Sequence, residues 1–444
     1  MKPPRHSILA FQRNASVSAF AMALLCLLTF GNSRPALGQT FMVLHTFGDG
    51  PDGADPDFAG VAIDRAGNLY GTTLYGGYRQ GYCAQQDIPG CGVVYRLQHR
   101  GSGWTFSQIY AFLPAPDGNY PEGVVVGSNG TVYGATYGGG QGSCEPGANG
   151  CGTVFNVRPS PNPCTTSLCP WNETVLYRFS GTNNDGANPF NGDLTFDNSG
   201  NIYGTTAGGG ADRAGSVYEL MPSQGSWTES VIFSFPSGWA TPYSGVVFDA
   251  SGNLYGTVPI VSRIAGGGVY ELSPSPSGWT GNLLQSFDSC VDGCGTIGGL
   301  ILDASGNLYG ATGEAGPNNG GTAYELLASQ NWNLNLLYAF TGSPQIATGP
   351  TCKLAMDAAG NLYGTTQGQG LGYGTVFKLT PSGGSWTLNT LYVFTGGSDG
   401  AVPLAGVTLD HDGNLYGTTY AGGDTSKCLG AGVNGCGVVW EITP

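Results

Sequence analysis

At 444 residues with a formal net charge of −14, 78 glycines and 12 cysteines, the chain has room for two or three ordinary domains. Its acidic balance excludes a nucleic-acid partner and a docking role on anionic lipid, because such a surface repels polyanions. The glycines fall in register with aromatic and β-branched residues, so they mark turns and close backbone approaches rather than low complexity.

The chain opens with Lys2, Arg5 and Arg13, an apolar stretch from Ala15 to Phe30, and a small-x-small site at Ala36-Leu37-Gly38. Residues 1–38 therefore read as a secretory signal peptide, with an uncleaved anchor as the competing reading. The apolar run is short for a membrane span and nothing comparable follows. Removal of the segment leaves 11 basic residues against 29 acidic ones, a net charge of −18. The expected destination is secreted, cell-surface or periplasmic.

Most of the remaining cysteines bracket short loops. Cys83 with Cys91, Cys144 with Cys151, Cys164 with Cys169, Cys290 with Cys294 and Cys428 with Cys436 are expected to be local disulfides in an exported chain. Thiolate metal ligation is the weaker reading, since the spacings differ from C-x-x-C and no histidine lies nearby. Cys352 is left over and reads as a small buried residue rather than a nucleophile.

From residue 39 onward one unit recurs. A phrase close to G-N-L-Y-G-T-T places tyrosines at Tyr70, Tyr133, Tyr203, Tyr255, Tyr309, Tyr363 and Tyr416, at intervals of 63, 70, 52, 54, 54 and 53 residues. That period is blade-sized. In the sixth copy, Leu354 to Asp357, Asn361 to Thr366, Gly374 to Leu379 (ended by Pro381) and Trp386 to Phe394 read as four short strands with turns between them. Asp64, Asp197, Asp249, Asp303, Asp357 and Asp410 stand six residues before their tyrosines, as turn-forming aspartates do. Calcium ligation is the competing reading for them. Gly71 and its equivalents are expected to make room for an aromatic of the next unit.

The stretch Phe41 to Phe47 matches a fourth strand, and Gly437 to Ile442 matches a third with no fourth after it. Pairing the two removes both sheet edges. The expected fold is all-β: residues 39–444 as a single seven-bladed β-propeller of four-stranded antiparallel blades, closed by the N-terminal strand completing the last blade. An open β-solenoid would leave both half-units without partners.

The phrases N-L-Y-G-T-T, then G-G, then G-T-V-F-x-L-x-P resemble the GloVer tandem-repeat family (Gloeo/Verruco repeat, choice-of-anchor) over residues from about 41 to 444. The resemblance implies an exported bacterial repeat protein, often tethered by a C-terminal sorting segment. This chain departs from that pattern in stopping at Thr443-Pro444, directly after the last strand. The resemblance brings no assigned reaction and no catalytic residues.

Candidate sites come from the loops. Copies one, two and seven combine a cysteine-closed connection with Tyr75, Tyr137 and Tyr420, an aromatic sector suited to carbohydrate rings or a partner's apolar side chains. The bland reading is that long exported loops simply need staples. Asp49, Asp52, Asp55 and Asp57 crowd the loop into the first blade, a candidate calcium site against the alternative of a solvated acidic loop. D-G-x-x-P turns at Asp117, Asp185 and Asp399 point to a structural role for that motif.

Catalytic constellations are thin. His45, His99 and His411 suggest no triad. Gly396-Gly397-Ser398-Asp399-Gly400 lacks the strand-to-helix setting of a nucleophile elbow, and alternating glycines from Gly368 to Gly374 precede no helix. The reading that results is a monomeric extracellular binding or interaction scaffold for carbohydrate or protein, with no cofactor beyond the calcium candidate. A glycan-cleaving hydrolase or lyase, or a structural cell-surface component, are the alternatives.

Overall fold

A computed structural model describes residues 39–444 apart from 57, 59, 85–88, 102, 145–148, 161–170, 192, 262–265, 288, 342–348, 369–371 and 430–432. The expected signal peptide, Asp57 and the Cys164/Cys169 pair lie outside the described residues. Phe41–Thr443 form one compact unit.

The unit is a seven-bladed β-propeller of antiparallel four-stranded sheets. Blade one takes Ala62–Ile63, Leu69–Thr73, Val93–Arg100 and Gly103–Ala111 in that order, and blades two to six repeat the arrangement. The seventh sheet holds Thr408–Leu409, Leu415–Thr419 and Val438–Thr443, with the chain's first strand, Thr40–Thr46, hydrogen-bonded beside Val438–Thr443. Helical structure among the described residues is confined to two 3-10 turns, Gly81–Ala84 and Ala328–Gln330. No helix there is long and apolar enough to cross a membrane.

The second strand of each blade is the core. Leu69–Thr73 and its counterpart Leu254–Val258 are buried at every position, as a strand covered on both faces must be. Gly71 is the cross-strand partner of Tyr95, and a Cβ on it would lie 2.3 Å from the Tyr95 hydroxyl. The aromatic expected from the next unit thus comes from the third strand of the same blade, folded back over its own register partner. Tyr218 over Gly204, Tyr270 over Gly256 and Trp440 over Gly417 repeat the contact. Burying each such ring contributes roughly 2 kcal/mol.

The aspartate turns form as expected. The Asp64 carboxylate accepts the N–H groups of Ala66 and Asn68, the Asn68 side-chain amide and the Tyr70 hydroxyl. Asp249, Asp357 and Asp410 hold the same set in their blades. The third strand of blade six runs past its expected end at Pro381, which pairs with Trp386, to Ser382. Proline is tolerated at this position next to the hairpin end.

Blades are joined by a repeated clasp. The residue before each entering proline has a left-handed backbone, with φ of 56° at Asp55, 54° at Tyr120 and Asn188, and 56° at Thr241 and Val402. Its N–H donates to the carbonyl that opens the third strand of the preceding blade: Asp55 to Cys436 at 3.0 Å, Tyr120 to Cys91 at 3.2 Å, Asn188 to Cys151 at 2.7 Å, Val402 to Tyr373 at 2.8 Å. A left-handed glycine follows each acceptor and lets the next proline ring approach. A Cβ on Gly92 would lie 2.5 Å from Pro121, and one on Gly374 2.3 Å from Pro403. Blade five alone substitutes Thr296 for the proline.

Disulfides join Cys83 to Cys91, Cys144 to Cys151 and Cys428 to Cys436. Each therefore anchors a clasp acceptor: Cys91, Cys151 or Cys436. Cys290 and Cys294, expected as a further bridge, are free thiols instead. Cys290 occupies a left-handed turn whose carbonyl receives the N–H groups of Gly293 and Gly316. Burial, together with the neighbouring Cys290 thiol, pushes the Cys294 thiol up to about 12.

Candidate functional site in the central channel

The first strands of the blades surround a cavity of about 410 Å3 to which all seven blades contribute. This falls within the usual range of roughly 300–1,000 Å3 for small-molecule sites. Its wall is set by one position, ten residues before each repeat tyrosine. Gly60, Gly123, Gly245, Gly299 and Gly406 occupy it in five blades, Asp193 and Lys353 in the other two. Lys353 Nζ reaches Asp193 Oδ2 at 2.9 Å from a strand start 160 residues away. Both side chains are half exposed. They are the one cation and the one anion among the described lining residues.

At two of these glycines the strand starts crowd one another. A Cβ on Gly245 would lie 2.1 Å from the Asp193 carbonyl, and one on Gly406 2.2 Å from that of Lys353. The Lys353 stem lies over Gly299, where an added Cβ would meet its Cδ at 3.3 Å. The charged pair is thus seated by small neighbours.

An aromatic arc gathers at the same strand starts, among residues that follow the clasp prolines. Phe190 packs on Tyr243 with ring centroids 4.8 Å apart, on Phe58 at 5.8 Å and on Tyr137 at 5.8 Å. Phe58 and Tyr243 line the cavity. Cys352 also lies there, buried, its sulfur receiving the Thr365 N–H at 3.3 Å. Burial raises its thiol above the ordinary value, which suits a packing role better than nucleophilic chemistry.

The aromatic residues expected to act together are separated. Tyr137 joins the arc through Phe190. Tyr75 packs instead on Tyr120, with centroids 5.6 Å apart. Tyr420 is half-buried, its backbone N–H donating to the Val402 carbonyl at 3.0 Å. Phe58, Phe190, Tyr243, Asp193 and Lys353 were missed by the sequence reading. Comparing the copies at the residue after each proline, and at ten before each tyrosine, would have singled out all but Phe58.

The acidic loop is likewise divided by local partners. Asp49 is engaged by the Arg79 guanidinium. Asp52 accepts the Gly48 N–H at 2.9 Å and faces His45 at 3.4 Å. Burial opposes its ionisation, but these contacts outweigh it and lower the carboxyl. Asp117 and Asp399 use the same geometry, accepting the N–H four residues back and a fourth-strand tyrosine hydroxyl. Asp55 is buried at the clasp. Among the described residues no three His, Cys, Asp or Glu side chains are placed to hold a metal ion.

The sequence profile of the Gloeobacter/Verrucomicrobia repeat matches residues 81–303, 145–370 and 262–444. No curated protein sequence matches the chain. Solved structures of similar fold include a Lactobacillus plantarum protein, at 15% identity over 77% of this chain and 86% of that one, with a TM-score of 0.47. Another is a polysaccharide lyase, an ulvan lyase, bound to -[GlcA(1-4)Rha3S]-, at 11% identity over 78% and 86%, with a TM-score of 0.46. A gluconolactonase from Xanthomonas campestris aligns at 15% identity over 79% and 90%, with a TM-score of 0.40. These are likenesses of fold.

Proposed function

The chain belongs to the Gloeobacter/Verrucomicrobia repeat family, and we propose that it is an exported binding scaffold whose ligand seats over the aromatic arc and reaches into the channel. Carbohydrate suits this surface better than the apolar side chains of a protein partner. The observation that carries the reading is the break in sevenfold repetition at Asp193 and Lys353. Five blades build the same strand start with glycine, so the fold does not require charge there. A half-exposed ion pair contributes only about 0–1 kcal/mol to stability. A charged pair that stability does not explain, beside aromatic rings in a concave wall, has the composition of a ligand site. Export is supported by the basic and apolar N-terminus and by three short disulfides.

A glycan array probed with the oxidised mature protein tests the reading. Binding that falls at least tenfold in Tyr243→Ala and Phe190→Ala, and is unchanged in Tyr75→Ala, places the ligand at the channel. Loss confined to Tyr75→Ala or Tyr420→Ala returns the site to the outer loops. Release of reducing ends from a bound polymer would make the protein a glycan-cleaving enzyme.

A further inference from the structure

We infer that the ligand is an electrically neutral glycan, recognised through a pair of adjacent hydroxyls by Asp193 and Lys353 acting as one unit. The inference rests on the channel being the binding site. Lys353 spends one of its three N–H donors on Asp193, and a single carboxylate oxygen receives it. The other two Lys353 donors and the second Asp193 oxygen have no hydrogen-bond partner among the described residues. A sugar diol matches both at once, because each hydroxyl donates and accepts. One hydroxyl donates to Asp193, the other accepts from Lys353, and the ion pair stays intact.

Charged ligands fit less well. The pair sums to zero, and no other charged side chain lines the cavity among the described residues. A uronate bound through the free donors of Lys353 sets two carboxylates against one ammonium and leaves the channel with a net negative charge. It also approaches a protein of net charge −14 for the full chain. A cationic amino sugar bound at the free oxygen of Asp193 likewise sets two ammonium groups against one carboxylate. A neutral ring does neither, and its C–H face can lie on Tyr243 or Phe58, which supply rigid area at low entropic cost.

The test is calorimetric titration of the oxidised mature protein with three classes of probe of matched length: neutral gluco-, xylo- and manno-oligosaccharides, oligogalacturonate, and chitosan oligomers. Neutral oligosaccharides alone should bind, with Kd changing less than twofold between 50 and 500 mM NaCl. Asp193→Ala combined with Lys353→Ala should weaken them at least tenfold. The swapped pair, Asp193→Lys with Lys353→Asp, should keep binding within about threefold, and the melting temperature of each variant checks folding. Preferential binding of oligogalacturonate or chitosan, lost in the double alanine variant, overturns neutrality while leaving the channel as the site. Neutral binding untouched by the double alanine variant overturns the role of the pair. No binding to any probe overturns both this inference and the carbohydrate reading.

Discussion

Pro56 and Gly437 meet where the first entering loop crosses the last blade. A Cβ on Gly437 would lie 2.8 Å from the proline Cδ and 2.1 Å from the Thr419 carbonyl. Gly437 also has φ of 86°, where an L side chain is strained. Gly437→Ala should therefore destabilise the protein by well over 1 kcal/mol, with melting temperature falling by roughly 1 °C per kcal/mol in a unit of this size. Gly103→Ala, with nothing within 4 Å of the added carbon, should leave it unchanged. Equal melting temperatures for the two variants would refute the clasp as an energetic feature.

Val402 holds the left-handed clasp position with a β-branched side chain, where Asn188 and Gly349 hold it in other blades. The left-handed region disfavours such a residue by about 1–2 kcal/mol, and asparagine tolerates it better. Val402→Asn should raise stability by about 1 kcal/mol in denaturant unfolding, with the Val402 N–H bond to Tyr373 kept. A loss of stability would mean that packing of the valine outweighs its backbone strain.

Tyr95, Tyr218, Tyr270 and Tyr324 have buried hydroxyls without a hydrogen-bond partner among the described residues, whereas Phe155 and Phe377 fill the same position in two blades. Burial pushes the phenols far above their ordinary range. Removing an unsatisfied polar atom while keeping the ring is neutral or favourable. Tyr270→Phe should melt at or above the temperature of the parent. A drop equivalent to about 1 kcal/mol would reveal a bound water on the hydroxyl.

Glu173 and Glu229 are raised to about 7, first by burial and then by repulsion from Asp117 and Asp185 respectively. The folded state therefore holds these protons more tightly than the unfolded chain, whose carboxyls titrate near 4.5. Their contribution favours folding below that unfolded value and is lost as pH rises towards about 7. Asp249 behaves oppositely. Burial opposes its charge, but hydrogen bonds from Asn253, Ser251 and Tyr255 outweigh it and lower the carboxyl. Its stabilisation is present above the ordinary carboxylate range and falls away in acid. Melting temperature should peak near about pH 4.5 and decline towards neutrality. Glu173→Gln should flatten the neutral limb, and an unchanged limb would reject the assignment.

The repeat was legible because a blade is a local object. Its aspartate turn, its buried tyrosine and its short cysteine loops each close within a few dozen residues, so spacing alone exposes them. The site was not, because it forms where distant strand starts converge. Asp193 and Lys353 are 160 positions apart, and only the ring brings them to 2.9 Å. Tyr75 stands five residues after its repeat tyrosine, Tyr137 and Tyr420 four after theirs. One residue of offset turns a side chain to the opposite face of a strand, which fits the separate packing of Tyr75 and Tyr137. The source of the ring over Gly71 was hidden for a related reason, since cross-strand register cannot be read from one strand.

The bridged loops give the propeller a seam. Clasps whose acceptors are Cys436, Cys91 and Cys151 are backed by covalent loops, while those at Ala214, Gly266, Gly320 and Tyr373 rest on hydrogen bonds and packing among the described residues. In a chain of similar joints, partial opening begins at the softest. Blades four to six are then the side that breathes, and it is the side that carries Lys353. Asp193 stands in blade three, next to the bridged blades seven, one and two, so the ion pair across the channel also ties the yielding half of the ring to the rigid one.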